Sequence, residues 1–319
     1  MFEKRRVGNS DLEIAPLVLG GNVFDWTADE KTSFTILDAF VDAGGTMIDT
    51  ADVYSAWVPG HRGGESETVI GNWLRRDPAK RDRVQIATKV GFFEGLAPDV
   101  VARSCDASLQ RLGIDTIDLY YQHKDDEKVP LAESLGAMDV LVKAGKVRSI
   151  GLSQFTAERL DEAMRTANSA GLAKPCALQT WYNLVERQKL EGDLGDRAIA
   201  HGLGILPFYG LANGFLTGKY RSRDDLEKSV RGLRNVEYLE GKGPRVLAAL
   251  DEVAAETGGA LATIALAWTI AQPGITAALA SATNLDQLAE LTAAMEFKLN
   301  EDQNARLNAA SMEIETANV

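Results

Sequence analysis

The chain alternates between short apolar runs rich in β-branched residues and longer runs with helical periodicity, about eight times in succession. Near-continuous apolar runs are typical of strands covered on both faces of a parallel sheet. The predicted strands are Leu17–Gly21, Met47–Ala51, Val84–Val90, Ile117–His123, Val147–Ser153, Ala177–Trp181, Gly204–Phe208 and Ile275–Ala280. Eight such units favour a closed (β/α)8 barrel, or TIM barrel, over an open sheet, and we expect residues 1–319 to form one domain of this kind.

The helical runs and two irregular segments complete this pattern. The predicted helices are Glu65–Arg76, Pro98–Leu112, Leu131–Ala144, Ala157–Ala170, Lys189–His201, Pro244–Thr257 and Asn284–Ala294. The apolar stretch Ala260–Ala271 is too short to span about 30 Å of hydrocarbon, so we expect a buried helix there. Phe2–Ile14 is predicted to form a β-hairpin that turns at Gly8-Asn9-Ser10 and caps the bottom of the barrel. Leu211–Gly243 is a long polar loop after the seventh strand, and loops of that length are usually functional.

Charge and cysteine content narrow the class of protein. The net charge of −12 disfavours nucleic acid and anionic membranes as partners. Cys105 and Cys176 are too few for a disulfide framework, and both lie in apolar stretches typical of inert core residues, so we expect a cytoplasmic protein. The first residues carry charges with no apolar run behind them, and no signal peptide is expected.

Four polar side chains fall near the carboxyl ends of three consecutive predicted strands. Asp49 and Tyr54 follow the second strand, Lys89 ends the third and His123 ends the fourth. Catalytic groups of (β/α)8 enzymes lie at this end of the barrel, and neighbouring strands are about 4.8 Å apart. Each residue alone also fits a structural role, as a turn, cap or rim residue. Together they predict one cluster.

The cluster fits the chemistry of carbonyl reduction. A hydride delivered to a carbonyl carbon leaves charge on the oxygen, which then needs a proton. Tyr54 can donate it, and an ammonium beside the phenol lowers the phenol pKa. Lys89 supplies that ammonium, Asp49 holds Lys89 in place, and His123 can hydrogen-bond the carbonyl.

Several motifs resemble those of the aldo-keto reductase family, from about Val7 to about Glu296. They are Ile48-Asp49-Thr50-Ala51-Asp52-Val53-Tyr54, Gly63-Gly64-Glu65-Ser66-Glu67, Ala87-Thr88-Lys89, Asp118-Leu119-Tyr120-Tyr121-Gln122-His123, Gly151-Leu152-Ser153, Gln179-Thr180-Trp181-Tyr182-Asn183 and Gly214-Phe215-Leu216-Thr217-Gly218-Lys219-Tyr220. The resemblance implies a catalytic tetrad of Asp49, Tyr54, Lys89 and His123, with Tyr54 as general acid/base. It thus implies an NAD(P)H-dependent oxidoreductase that reduces aldehydes or ketones to alcohols.

The chain has no Gly-x-Gly-x-x-Gly after a strand, so a Rossmann-type site is not expected. The resemblance implies instead that NADPH/NADP+, with NADH possible, lies across the barrel mouth. The resemblance implies that the cofactor is bound by Gly21, Asn22, Val23, Asp49, Ser153, Gln154, Gln179, Phe208, Tyr209, Gly210, Leu211, Ala212, Lys219, Ser281, Thr283, Gln287 and Glu290.

Four positions depart from the family pattern, and they bear on the choice between NADPH and NADH. Gln154 replaces an asparagine, Tyr209-Gly210 a Ser-Pro pair, Thr283 a basic residue and Leu291 an asparagine. We expect Lys219, with Arg221 or Arg223 on the long loop, to supply the missing positive charge for a 2′-phosphate.

The resemblance also places Phe24, Trp26 and Trp57 around the substrate, next to His123. Aromatic walls favour flat or apolar carbonyl compounds, and the lack of a basic cluster beyond Lys89 argues against a highly anionic substrate. The main alternative is a regulatory dinucleotide-binding subunit like the channel β-subunits that resemble the same family; His123 favours the enzyme, because that branch typically has asparagine there. A metal-dependent hydrolase is disfavoured, because three histidines without a His-x-His pair make a poor ligand set, and no metal site is expected.

Overall fold

The computed structural model describes residues 2–312 and shows eight parallel strands ringed by helices, preceded by a short hairpin. The hairpin pairs β1 (Arg5–Arg6) with β2 (Glu13–Ile14) in antiparallel fashion. The strands of the parallel sheet are β3 (Leu17–Gly20), β4 (Met47–Asp49), β5 (Gln85–Val90), β6 (Ile117–Gln122), β7 (Val147–Ser153), β8 (Ala177–Gln179), β9 (Gly204–Ile205) and β10 (Ala278–Ala280). Their spatial order is β10-β3-β4-β5-β6-β7-β8-β9, so β3 to β9 follow one another in chain order and β10 lies beside β3.

The sheet curls until its two ends meet. Ile205 forms a parallel bridge with Ile275, and the Thr276 amide donates to the Ile205 carbonyl at 2.9 Å. The Leu279 amide donates to the Pro207 carbonyl at 3.0 Å. Closure satisfies backbone groups that a free sheet edge would expose. The predicted (β/α)8 barrel is therefore confirmed.

Helices surround the barrel. They are α1 (Glu30–Asp42), α2 (Glu65–Arg76), α3 (Pro98–Leu112), α4 (Leu131–Lys143), α5 (Ala157–Ser169), α6 (Asp193–Ala200), α7 (Gly243–Thr257), α8 (Leu261–Ile270), α9 (Leu285–Ala293) and α10 (Glu301–Ser311). The strand–helix pattern did not identify α1 or α10. The predicted helix from Lys189 begins only at Asp193, because Gly192 adopts a φ of +91° that interrupts the helix. The expected buried helix is confirmed as α8, whose residues are almost all buried.

No single helix in residues 2–312 is long and apolar enough to cross a membrane. The helices α7 and α8 meet the criterion only as a pair, and they are bent by 101° relative to each other.

The N-terminal hairpin closes the bottom of the barrel, as predicted. Its turn is so close to the strands that a Cβ on Gly8, at φ +51°, would lie 2.1 Å from the Cys176 carbonyl and 2.6 Å from the Gly204 amide. These two residues stand at the starts of β8 and β9. Leu12 and Ile14 are fully buried in the apolar cluster that fills this end.

The long segment after β9 is folded against the barrel. It contains three 3-10 helices, Ala212–Thr217, Arg223–Lys228 and Gly232–Leu239. Phe215, Tyr220 and Leu226 bury their side chains in the core cluster shared with α7 and α8. These anchors fix the insertion at the barrel wall.

Candidate active site

The two-residue period of the strands carries polar side chains to the inside of the barrel mouth. Met47 and Ala87 belong to the interior cluster, whereas Ile48 packs on the outer side with the helices. Two residues beyond Met47 and Ala87 come Asp49 and Lys89, both fully buried. Adjacent parallel strands thus place this carboxylate and this ammonium side by side at the carboxyl ends of β4 and β5.

The Lys89 ammonium makes three short contacts. Its Nζ lies 2.6 Å from Asp49 Oδ2, 2.8 Å from the Thr50 carbonyl oxygen and 2.8 Å from the Tyr54 hydroxyl. The Tyr54 hydroxyl in turn donates to Asp49 Oδ2 at 3.3 Å. All three N–H groups of the ammonium are used, so the amine is held charged and aimed at the phenol oxygen.

Burial and Asp49 dominate the titration of both the phenol and the ammonium. Burial, followed by the Asp49 carboxylate, raises the pKa of Tyr54 well above its ordinary value. Burial also lowers the pKa of Lys89, although Asp49 opposes this. The expectation that Tyr54 has a lowered pKa is wrong for the resting site, because desolvation and the Asp49 carboxylate both raise it. Tyr54 therefore keeps its proton near neutrality.

His123 reaches the same cluster from the end of β6. Its ring centroid lies 6.0 Å from that of Tyr54, and its carbonyl accepts from Gln154 Nε2 at 2.9 Å. Burial, helped by the positive charges of Lys89 and Lys124, lowers its pKa well below the ordinary value. The imidazole is therefore neutral, and it can donate one hydrogen bond without bringing charge. The structure thus brings all four predicted tetrad side chains together.

Aromatic rings continue from Tyr54 toward solvent. The ring centroids of Trp57 and Tyr54 are 6.1 Å apart. Those of Trp26 and Trp57 are 5.5 Å apart, in an edge-to-face arrangement. Phe24, the third predicted substrate residue, is fully buried in the core cluster between barrel and helices. The structure therefore places two of the three predicted aromatic residues on the wall of the mouth.

Two residues at the mouth escaped the sequence analysis. Phe92, in the connection after β5, lies 4.9 Å from His123 between ring centroids. The sequence could have predicted this placement, because Phe92 comes three residues after Lys89 and the loops that follow barrel strands line the mouth. Arg231, on the insertion, places its guanidinium carbon 4.9 Å from the Trp26 ring centroid. No local pattern marks it, because the fold of the insertion alone brings it there.

The predicted carboxamide-binding residues line the mouth at β7 and β8. The Ser153 hydroxyl is buried without a hydrogen-bond partner. Gln179 Nε2 donates to Asp49 Oδ1 at 2.9 Å, which fixes the carboxylate. Gln154 adopts φ +57°, and its side-chain amide donates a hydrogen bond to the His123 carbonyl oxygen. Its extra methylene, compared with asparagine, gives it this reach.

The segment after β9 has an unusual backbone. Tyr209, Ala212 and Asn213 all adopt positive φ values between +46° and +58°, and Gly214 follows at +89°. Residues in this region concentrate at ligand-binding loops, because they turn successive amides toward one side. A Cβ on Gly214 would lie 3.0 Å from Lys219 Nζ, so the lysine is packed against this turn. The turn and the lysine form a potential anion cradle.

The residues predicted to bind the adenosine end of the cofactor form hydrogen bonds with one another. Ser281 Oγ donates to Asn22 Oδ1 at 2.6 Å, and both the amide and the hydroxyl of Thr283 donate to Gln287 Oε1. The other predicted cofactor residues lie at the ends of β3 and β9 or on α9: Gly21, Val23, Phe208, Gly210, Leu211 and Glu290.

Arg221 and Arg223 do not supply free positive charge. Arg221 binds both carboxylate oxygens of Asp251 at 2.7 Å, and Arg223 pairs with Glu240 at 3.1 Å. The expectation that either guanidinium folds over the ribose finds no support, because each already has a carboxylate partner. Lys219, whose Nζ lies over the Tyr220 ring at 5.1 Å, is not paired with a carboxylate among residues 2–312.

A parallel (β/α)8 barrel whose mouth brings together a phenol, a buried ammonium and an imidazole has the architecture of a barrel enzyme. Within residues 2–312, no group of His, Cys, Asp and Glu side chains is arranged to hold a metal ion. The model of the Aldo/keto reductase family matches residues 16–312, and the chain belongs to this family. Membership places it among oxidoreductases, and the resemblance found in its motifs is confirmed.

Relatives cover nearly the whole chain. The chain is 31% identical to "Uncharacterized oxidoreductase YrpG" of Bacillus subtilis, over 96% of this chain and 95% of the relative. It is 33% identical to "Aldo-keto reductase str7" of Strobilurus tenacellus, over 90% and 82%. It is also 30% identical to a "Probable voltage-gated potassium channel subunit beta" of Oryza sativa, over 91% and 90%.

Proposed function

We propose that the protein reduces aldehydes or ketones to alcohols with NAD(P)H, and that Tyr54 is the proton donor. The observation that carries this proposal is the buried Lys89 ammonium, which contacts both Asp49 Oδ2 and the Tyr54 hydroxyl. A buried charge is costly unless it is paired, so a site that retains one has a use for it. Here the ammonium sits where negative charge would arise when the phenol gives up its proton.

The cofactor proposal rests on groups with unmet bonding capacity along the rim. The buried, unpartnered Ser153 hydroxyl and the neighbouring amide of Gln179 suit a carboxamide. The positive-φ turn from Tyr209 to Gly214, with Lys219 against it, suits a pyrophosphate. A nicotinamide cofactor bound there supplies the hydride. We expect NADPH to be preferred to NADH by only a small margin, because Thr283 brings no charge and Arg221 and Arg223 are held by Asp251 and Glu240.

The chain's own residues then handle the proton. His123, neutral and buried, donates a hydrogen bond to the substrate oxygen and fixes its direction. Tyr54 transfers its proton to that oxygen as the hydride reaches the carbon. Lys89 stabilises the phenolate left behind, and Asp49 keeps Lys89 in position. Tyr54 recovers a proton from solvent before the next turnover.

The test is the loss of NADPH absorbance with an aromatic aldehyde, for wild type and Tyr54→Phe. The variant should lose about 10²–10⁴-fold in kcat while its Kd for NADPH stays nearly unchanged, because the phenol proton is needed only in the chemical step. Tyr120→Phe is the matched control, since the Tyr120 hydroxyl is buried without a partner on the helix side of β6. Retention of more than half of kcat by Tyr54→Phe, with chemistry rate-limiting, would show that another group donates the proton.

A second candidate is a regulatory dinucleotide-binding subunit. The relative named as a potassium channel subunit favours it. This function predicts tight NADPH binding without appreciable turnover of any aldehyde, whereas the enzyme predicts turnover that depends on Tyr54. The same assay therefore separates the two functions.

A further inference from the structure

Arg231 differs from most arginines of this acidic chain. Within residues 2–312, eleven arginines hold a carboxylate oxygen within 4.0 Å, whereas no carboxylate there lies that close to the Arg231 guanidinium. Its side chain is partly buried, and burial lowers its pKa. Withdrawing an unpaired charge from water is unfavourable. The guanidinium is thus short of a counter-ion at the place where it stands.

That place is the wall of the proposed substrate pocket. The guanidinium carbon lies 4.9 Å from the Trp26 ring centroid, Trp26 contacts Trp57, and Trp57 contacts Tyr54. The positive charge of Arg231 also acts on the phenol, since it opposes the rise in the Tyr54 pKa. A line of aromatic rings therefore connects the proton donor to an unpaired cation.

A second cation stands on the other side of the mouth. Lys124 Nζ lies 4.8 Å from the ring centroid of Phe92, which itself contacts His123. The Lys124 side chain is exposed and has no carboxylate within 4.0 Å in the described chain. Both sides of the mouth thus combine an aromatic ring with an uncompensated positive charge. The sequence led us to expect no basic cluster beyond Lys89, whereas the structure places Lys124 and Arg231 on aromatic rings of the mouth.

We infer that the pocket takes carbonyl compounds that carry a carboxylate, which Arg231 binds while the apolar body lies on Trp26 and Trp57. The inference rests on the proposed function, since it names the substrate class of that same site. A planar guanidinium binds a carboxylate through two parallel hydrogen bonds, and stacking on Trp26 fixes the plane of that fork. A phosphate of the cofactor is the other anion that could reach Arg231, and the test separates the two.

The experiment compares para-carboxybenzaldehyde with its methyl ester, which has nearly the same shape without the charge. We measure kcat/KM for both aldehydes and Kd for NADPH, with wild type, Arg231→Met and Arg223→Met. Methionine keeps an unbranched apolar stem over Trp26 but removes the charge. Arg223 lies on the same insertion with its guanidinium on Glu240, so Arg223→Met controls for the loss of one positive charge.

Wild type should prefer the acid to the ester, and Arg231→Met should cut that preference by about tenfold or more, as loss of a charged hydrogen-bonded pair implies. Arg223→Met should keep it, and Kd for NADPH should stay within about twofold in both variants. An acid-to-ester ratio that Arg231→Met leaves unchanged overturns the inference. If NADPH binding then weakens, Arg231 binds a cofactor phosphate instead.

A binding measurement that does not depend on turnover tests this inference separately from the proposed function. Quenching of tryptophan fluorescence reports binding of either compound, whether or not it is reduced. If neither aldehyde is reduced, the proposed function fails, and the titration still decides the inference. Acid-selective binding that is lost in Arg231→Met supports it, and equal binding of acid and ester by wild type overturns it.

Discussion

Asp52 should make the stability of this protein fall as the pH rises toward neutrality. One of its carboxylate oxygens is buried without a hydrogen-bond partner. Burial, followed by the charge of Glu67, raises its pKa to about 7, against opposing effects of Arg111 and Lys89. Glu67 cannot move away, because its two oxygens are held by Thr88 and Arg111 at 2.6 and 2.7 Å.

The magnitude follows from the difference between the folded and unfolded pKa values. The shift from 3.8 to about 7 is roughly three units, and each unit is worth about 1.4 kcal/mol, so the upper limit is about 4 kcal/mol. When the pKa of a group is higher in the folded than in the unfolded protein, the group adds to the free energy of unfolding. This contribution is at its full value when the pH is below the pKa of the group in the unfolded protein. That stability is lost as the pH rises through the folded pKa. The contribution of Asp52 should therefore be lost between about pH 4 and pH 7 and level off above.

Asp52→Asn removes the titration while nearly conserving shape. Its free energy of unfolding should match that of wild type near pH 4 and exceed it progressively toward pH 7, by up to about 4 kcal/mol. Urea unfolding followed by tryptophan fluorescence at several pH values measures this difference. Asp42→Asn, which removes a carboxylate with 72% of its side chain exposed, is the control. A difference between Asp52→Asn and wild type that does not change with pH would refute the reasoning.

Three further predictions concern the site and the scaffold. Lys89→Met should slow alcohol oxidation and move its pH optimum upward, because the phenolate of Tyr54 loses the adjacent ammonium; an unmoved inflection in the pH–rate profile would contradict this. Gly71→Ala should lower the thermal midpoint through a loss of about 1–3 kcal/mol, because the new Cβ would lie 2.1 Å from the Arg111 carbonyl; calorimetry that shows no change would contradict it. Lys219→Ala should weaken NADPH and NADH binding alike and reduce the salt dependence of both Kd values; a selective effect on NADPH would instead place Lys219 at the 2′-phosphate.

The barrel and the core of its site could be predicted because both follow from local periodicity. A strand buried on both faces reads as an apolar run, and its two-residue period sends Asp49 and Lys89 to the same face as Met47 and Ala87. Parallel strands end at one rim, so residues at strand ends meet without further information. The hairpin turn at Gly8 could also be predicted, since its turn residues are adjacent in sequence.

The sequence by itself thus determined the strand order, the face of each strand and the polar groups at the rim. Only the tertiary structure decided that Phe24 lies in the core, that Asp251 holds Arg221, and that Arg231 stacks on Trp26. The physical reason is that strand faces depend on neighbours one or two residues away. The path of the insertion depends instead on contacts between residues far apart in the chain. The Tyr54 pKa was misjudged for the same reason, because burial is a property of everything packed around the phenol.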